Sequence, residues 1–556
     1  MADATGIGQP AELRRVVQAP LAGASVVVTL AALSSWLWFS KLRYFDPDEF
    51  EHLHFAWCIS KGMVPYRDFF EHHPPWFHYA LAALMPFYQV DRRFDDTLAF
   101  ICLARRIDLM LAAAALALTF LLARLWRGPR SGWIAIALLA TTPVFARKTF
   151  EIRPDVLAVV LWLGCLVVLV RALSAPSLRV RWRAMLFALS GLLLGSAIMS
   201  TQKVLMVMPA FALAMLWYVA AGQGDWRTRV REVGLQFAGF GVPILATLGY
   251  FWSRGALGAF IYFNLILNLH WKFHQSPFVL LNKGFAENPI LLVFGALGLI
   301  LEGFRESRQR TFSVGKLLIL CAAGSIAALW EMPIAEEQYY LTFLPLLAIF
   351  SASLMVAVAA AVSGEYAGWN RSGLRYVIAI AFFSGTIATL MIWANPETHW
   401  LEVSVVLMLA AGTGLMLRSS SDAALAVVLC AVCVWPYSLA CEEFLVDNAL
   451  SLQQLRYAIE ETSPTDTMMD GRTGIGVFRP HAYFYWFMNS GVLAMMTDEQ
   501  RSRLLDDLQT GKIAPRYLLL DEHLARVLHR IPWFVFGNYL RVPSQPMIWE
   551  RKTLAR

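Results

Sequence analysis

Apolar residues gather in this chain into long blocks with short polar loops between them, and most blocks are long enough to cross a bilayer at the ~1.5 Å rise per residue of a helix. The blocks lie at 21–39, 98–123, 131–147, 155–171, 184–200, 204–221, 234–252, 289–304, 314–331, 340–362, 374–394, 400–417 and 421–440. By the hydropathy criterion they predict about 13 transmembrane helices. The first block follows Arg14 and Arg15 and ends on Trp36, Leu37 and Trp38. A cleaved signal peptide would end on small residues, so this block reads as a retained first span. Residues 75–90 are apolar but short for a span, and counting them as one would invert every later loop. They predict an interfacial or re-entrant helix. The tail, 441–556, mixes polar helical stretches with strand candidates at 465–469 and 516–520. The expected fold class is therefore an α-helical polytopic membrane protein with a small extracytoplasmic α/β C-terminal domain. Residues 1–440 form its membrane domain, and 441–556 its soluble one. No internal repeat is visible.

Composition agrees with a lipid phase: 58% of residues are hydrophobic, 16% are charged and the mean hydropathy is +0.52, far from the soluble average. The net charge of +7 does not point to nucleic acid, because the arginines form no continuous basic face. They sit in alternate loops instead. Arg124, Arg127 and Arg130 are followed by Arg171, Arg179, Arg181 and Arg183, then Arg227, Arg229 and Arg231. Arg305, Arg308 and Arg310 continue the series, then Arg371 and Arg375, then Arg418. Positive charge is retained in the cytoplasm, so the long segments 40–97 and 253–288 and the tail fall outside. Of the seven cysteines, Cys102, Cys165, Cys321, Cys430 and Cys433 lie in apolar runs, where a thiol acts as a small hydrophobe. DGRTGIG (470–476) lacks both the P-loop and the GxGxxG spacing and reads as a glycine-rich turn.

The first outside loop concentrates the chemistry. It contains FDPDEFEHLHF (45–55) and FFEHHPP (69–75). Asp46 before Pro47, with Glu49 at the third helical position, spells a helix start closed by a capping box. That local reading accounts for Asp46 and Glu49. Asp48 gains only a little from the helix dipole.

The Asp48-Glu49 pair after the first span, the Gly-x-x-Pro-Tyr-x-Asp stretch (62–68) and the Pro-Pro at 74–75 together resemble the GT-C superfamily. More narrowly, they resemble the branch of the protein O-mannosyltransferases and the lipid A aminoarabinose transferase. Asp155 in FEIRPD, Lys203 in STQKVLMVMP and the string EEQYYLTFLP (336–345) fit the same pattern, which spans roughly residues 20–350. The resemblance implies an inverting glycosyltransferase that takes a sugar from a polyprenyl-phosphate carrier outside the cytoplasm. The acceptor would be a lipid, a glycan or a protein. It implies Asp48 as catalytic base with Glu49 as rival, and Asp155 as a second acid. Lys203, Arg67, Arg153, Lys272 and Tyr339 would face the donor and its phosphate. Glu71 and His72 correspond to an acid–lysine pair of the aminoarabinose enzyme, with His72 in place of the lysine. With His73, His270 and His274 they offer ligands to a divalent metal such as zinc. The Ala-, Leu- and Arg-rich spans suggest a bacterial inner membrane, with the site and tail in the periplasm.

Two other classes compete. A lipid-linked sugar flippase or transporter also has many spans and ionisable residues in them, but here the acids concentrate in one outside loop. A non-catalytic scaffold leaves that loop unexplained. The topology is testable directly: reporter fusions after Asp96 and after Cys441 are both expected to report the outer compartment. An inside signal at either point would show a miscount at the 75–90 helix.

Overall fold

The computed structural model describes residues 19–175, 178–269, 276–332, 336–363, 372–391, 399–418, 422–442 and 446–552. The apolar blocks are mostly helical in those residues. Among the described residues, seven helices are long and apolar enough to cross a membrane: Ala19–Phe39, Phe94–Arg127, Pro154–Ser174, Gln202–Ala221, Trp226–Ser253, Leu344–Ser363 and Asp422–Glu442. Pro277–Glu287 and Pro289–Ser307, bent by 111° at Asn288, add an eighth if they form one span. The count of thirteen is not reached among the described residues, for local reasons. The 131–147 block breaks into Pro129–Ala140 and Pro143–Phe150, because Pro143 has no N–H to continue the helix. Val180–Ile198 opens with Arg181 and Arg183, and Val314–Ala327 has only 14 residues.

Close helix packing comes from small residues. Val180–Ile198 lies along Trp226–Ser253, with Gly191 and Gly195 one turn apart on the contact. A Cβ at Gly191 would sit 1.8 Å from the Gln236 carbonyl oxygen, and one at Gly195 would sit 2.3 Å from that of Phe240. From the other side, Gly239 meets the Ala188 carbonyl in the same way. Without a hydrophobic driving force between helices in lipid, such backbone contact supplies the dispersion energy of association.

The 75–90 segment is the expected short element, a helix at Trp76–Leu84 followed by a 3-10 turn at Met85–Phe87. It packs on the Pro47–Ser60 helix. At the C-terminus four strands, β1 (Met468–Asp470), β2 (Tyr517–Leu519), β3 (Tyr539–Arg541) and β4 (Ile548–Arg551), form one sheet in the order β1-β2-β4-β3. β1 runs parallel to β2, and the other pairs are antiparallel. The strand candidate at 465–469 overlaps β1 at its last two residues, and the one at 516–520 contains β2. The tail shares a core with the first loop: Phe50, Leu53 and Phe77 pack with Val477, Phe478 and Trp486. Arg479, fully buried, donates to the carbonyls of Asp91, Ala458, Ile459 and Thr462.

Gly191→Leu must push the backbones apart, and overpacking of this kind typically costs about 1–3 kcal/mol. The expected outcome is a lower thermal transition and a lower monodisperse yield. Gly234→Leu, on the same helix pair with nothing within 4 Å of its Cβ, serves as the control and should behave as wild type.

Candidate active site

The site begins with the helix start predicted from DPDE. The Asp46 carboxylate accepts the Asp48 N–H at 2.9 Å, and Glu49 accepts the Asp46 N–H at 2.9 Å, closing the capping box. Glu49 is also engaged on its other side. Arg105, from the Phe94–Arg127 helix, donates to both of its oxygens at 2.7 and 2.6 Å, and the Ile152 N–H reaches it at 3.2 Å. Arg105 further donates to the carbonyls of Ser40, Arg43 and Tyr44. Both side chains are buried. The structure thus turns Glu49 away from open space and makes it the tie between the helix start and two membrane helices.

Asp48, next in sequence, faces the other way. Its two oxygens are taken separately, by Arg153 at 2.7 Å and Arg472 at 2.9 Å. Burial alone would raise this carboxyl, but the two guanidiniums outweigh it and hold Asp48 well below the usual carboxylate range. Arg153 is buried, also donates to Glu151 at 2.7 Å and lies 3.4 Å from Asp46. Glu151 in turn pairs with Arg43 and Lys148. Two residues after Arg153, at the start of the Pro154–Ser174 helix, Asp155 meets Lys203 at 2.7 Å, and the ammonium lies 5.3 Å from the Tyr339 ring centre. Ion pairs therefore join Asp46, Asp48, Glu151, Arg153 and the distant Arg472, and the Asp155–Lys203 pair lies in the same electrostatic field.

The 69–75 string closes one side. Gln202 donates to the His72 carbonyl, which joins the Lys203 turn to that string. Glu71 Oε1 accepts the backbone N–H groups of His72 and His73, both at 2.7 Å, and lies 2.9 Å from His73 Nδ1. Burial pushes both imidazoles down to about 3, so they are neutral at ordinary pH. Glu71 Oε2 is buried and accepts no hydrogen bond among the described residues, with His78 Nε2 3.7 Å away. The ligand atoms of Glu71, His72 and His73 lie within 4.8 Å of one another. A neutral imidazole pair beside a buried, half-satisfied carboxylate fits a divalent cation such as zinc.

Other predicted residues lie elsewhere. Arg67 is exposed, paired with Asp68 at 2.7 Å and bonded to the Arg254 carbonyl, and nothing brings it to Asp48. His270, Lys272 and His274 fall outside the described residues. Two site residues escaped the sequence reading. Glu51, one turn after Asp48 on the same helix, is buried, and burial together with Asp48 and Glu71 pushes its carboxyl well above the usual range. It makes no hydrogen bond or ion pair among the described residues. Arg472 belongs to the DGRTGIG turn. Asp470 accepts the N–H groups of Thr473 and Gly474 at 2.7 and 3.0 Å, and Gly474, at φ +75°, leaves room for Phe50 where a Cβ would collide at 2.2 Å. The turn needs glycine there to seat on the first-loop helix, and this seating carries Arg472 to Asp48.

Residues 72–247, which include Asp155 and Lys203, match the family model described as dolichyl-phosphate-mannose-protein mannosyltransferase. In fold, the chain is similar to ArnT from Cupriavidus metallidurans bound to undecaprenyl phosphate (TM-score 0.60, 12% identity), over 96% of this chain and 98% of that one. The chain shares the fold of that transferase. A second neighbour in fold is the Archaeoglobus fulgidus oligosaccharyltransferase in its apo form (TM-score 0.54, 12% identity), matched over 96% of this chain and 75% of that one. A structure of that oligosaccharyltransferase in complex with Zn and sulfate also matches (TM-score 0.52, 13% identity), over 95% and 73%. No curated protein matches the chain in sequence.

Proposed function

We propose that this GT-C protein is an inverting glycosyltransferase, moving a sugar from a polyprenyl-phosphate carrier to a hydroxyl of a lipid, glycan or protein acceptor. The reaction would take place on the extracytoplasmic face, in a bacterial inner membrane with the tail in the periplasm. The observation that carries this reading is the Asp48 carboxylate held between Arg153 and Arg472, beside the Lys203–Asp155 pair. Support comes from the family match over 72–247 and from the fold neighbour crystallised with undecaprenyl phosphate.

Three cations gathered around carboxylates are suited to an anion that arrives with the substrate. A phosphate diester entering here exchanges one set of charge-assisted hydrogen bonds for another, so Arg153, Arg472 and Lys203 can turn from Asp48 and Asp155 to its oxygens. The exchange has a chemical consequence. An aspartate gripped by two arginines is a weak base; once they engage the phosphate, its basicity recovers. Asp48 then accepts the acceptor hydroxyl proton as the oxygen attacks the anomeric carbon. The same cations stabilise the charge growing on the departing carrier phosphate. Attack opposite that leaving group inverts the anomeric centre. Glu71, with His72 and His73, would hold a divalent metal, which when bound supplies further positive charge for the phosphate. Asp155, with Lys203 drawn away, is placed to orient the acceptor, and Tyr339 walls the ammonium.

Purified protein given a labelled polyprenyl-phosphate sugar and acceptor extract should transfer the label. Asp48→Asn should slow transfer by roughly 10²–10⁴-fold, the usual worth of general-base catalysis. Glu49→Gln should instead lower the folded yield and leave turnover per folded molecule near wild type. Full turnover in Asp48→Asn would remove it as the base. Carrier movement across a vesicle membrane without sugar transfer would identify a flippase.

A further inference from the structure

A second cluster of ligand-type side chains lies away from the charge network, where the first-loop helix meets the tail. His54 and Cys58 stand one turn apart on Pro47–Ser60, hence on one face. His481 approaches them from the segment that bridges to β1 at Met468. His54 Nε2 and His481 Nδ1 are 2.9 Å apart, and Cys58 Sγ lies 3.5 Å from the first and 4.0 Å from the second. Two nitrogens and a sulfur on a tetrahedral zinc, at ~2.0 and ~2.3 Å from the metal, would be separated by about 3.3 Å (N–N) and about 3.6 Å (N–S). The observed triangle is already close to that shape.

The surroundings also favour a ligand role. His54 Nδ1 bonds to the Val477 carbonyl at 2.8 Å. A carbonyl can only accept, so the proton is on Nδ1 and the Nε2 lone pair points at the centre of the triangle. Such a bond to the far nitrogen is how metal-bound histidines are fixed. His54 is also sandwiched, with Trp486 stacked on it at 4.0 Å and Trp57 at 5.7 Å, so the ring has one orientation. His54 and Cys58 are buried, while His481 is partly exposed. Among the described residues the other such cluster, Glu71 with His72 and His73, contains no sulfur.

We propose that His54, Cys58 and His481 form a structural site for zinc or a cation of like softness, clamping the tail to the first-loop helix. On binding, the Cys58 thiol loses its proton to solvent and a sulfur–metal bond forms. His481 moves its proton from Nδ1 to Nε2, freeing Nδ1 as a ligand. The clamp joins two segments that also carry Asp48 and Arg472, six and nine residues from its ligands, so the metal holds that ion pair in register. The proposal depends on this geometry alone and stands whether or not the chain transfers sugars.

The test uses the full-length protein in detergent, stripped with chelator and loaded with Co²⁺. Only a cobalt–thiolate bond gives an intense near-ultraviolet charge-transfer band, and the other cysteines lie in Phe94–Arg127, Pro154–Ser174, Val314–Ala327 and Asp422–Glu442. Wild type should develop the band to one equivalent, Cys58→Ser should lose it and Glu71→Gln should keep it. Zinc should displace the cobalt, bleach the band and raise the Tm of wild type but not of Cys58→Ser. A second measurement needs no variant: zinc should slow maleimide labelling of Cys58, mapped by mass spectrometry, at least tenfold. Absence of the band in wild type, its persistence in Cys58→Ser, or unchanged labelling with zinc would each overturn the site.

Discussion

Asp48 sits between two guanidiniums from opposite ends of the chain, and much of the local architecture exists to bring these three groups together. Arg153 comes from the membrane bundle. Its backbone N–H is held by Asp108 at 3.1 Å and its side chain by Glu151 at 2.7 Å, so the guanidinium has little freedom. Arg472 comes from the tail and is delivered by a turn seated on Phe50. Charges this buried persist only in compensated sets, because removing one leaves its partner stranded at a cost of several kcal/mol. The set is therefore stable while intact, and any anion that replaces Asp48 as partner can reorganise it. That combination suits a phosphate site.

The same requirement explains the neighbouring layer. Glu49 cannot take part in the exchange, since Arg105 and the capping box use both of its oxygens. It fixes the direction in which the helix leaves the membrane, and so the direction Asp48 faces. Adjacent acids in one motif thus divide the work, one anchoring and one facing the cations. On the far side of the same helix, Leu53 and Phe50 pack into the core shared with Val477 and Phe478. The tail is consequently part of the site.

What the sequence made legible was local. The cap at Asp46, the short helix after Pro75 and the strand candidates at 465–469 and 516–520 follow from neighbouring residues; the cap and the helix appear in the structure, and the candidates overlap its strands at 468–470 and 517–519. Asp48, Asp155 and Lys203 were picked from short motifs and lie in one network. What was missed depends on distance. Arg472 is 424 positions from Asp48, in a turn whose glycines announce a bend but not its destination. Arg105 sits inside an apolar block, where hydropathy treats it as an interruption, although it is the partner that occupies both oxygens of Glu49. The span count is not reached among the described residues for a similar reason: hydropathy ignores the break that Pro143 imposes and the bend at Asn288.

The central claim is that Asp48 and the carrier phosphate compete for the same arginines. The direct test is the affinity of sugar-free polyprenyl phosphate for folded wild type, Asp48→Asn and Arg472→Gln, measured at fixed ionic strength. Removing the competing carboxylate should tighten binding in Asp48→Asn by on the order of tenfold, the equivalent of ~1.4 kcal/mol. Losing a charged donor should weaken Arg472→Gln by at least about as much. Weaker binding in Asp48→Asn, or unchanged binding in Arg472→Gln, would contradict the account.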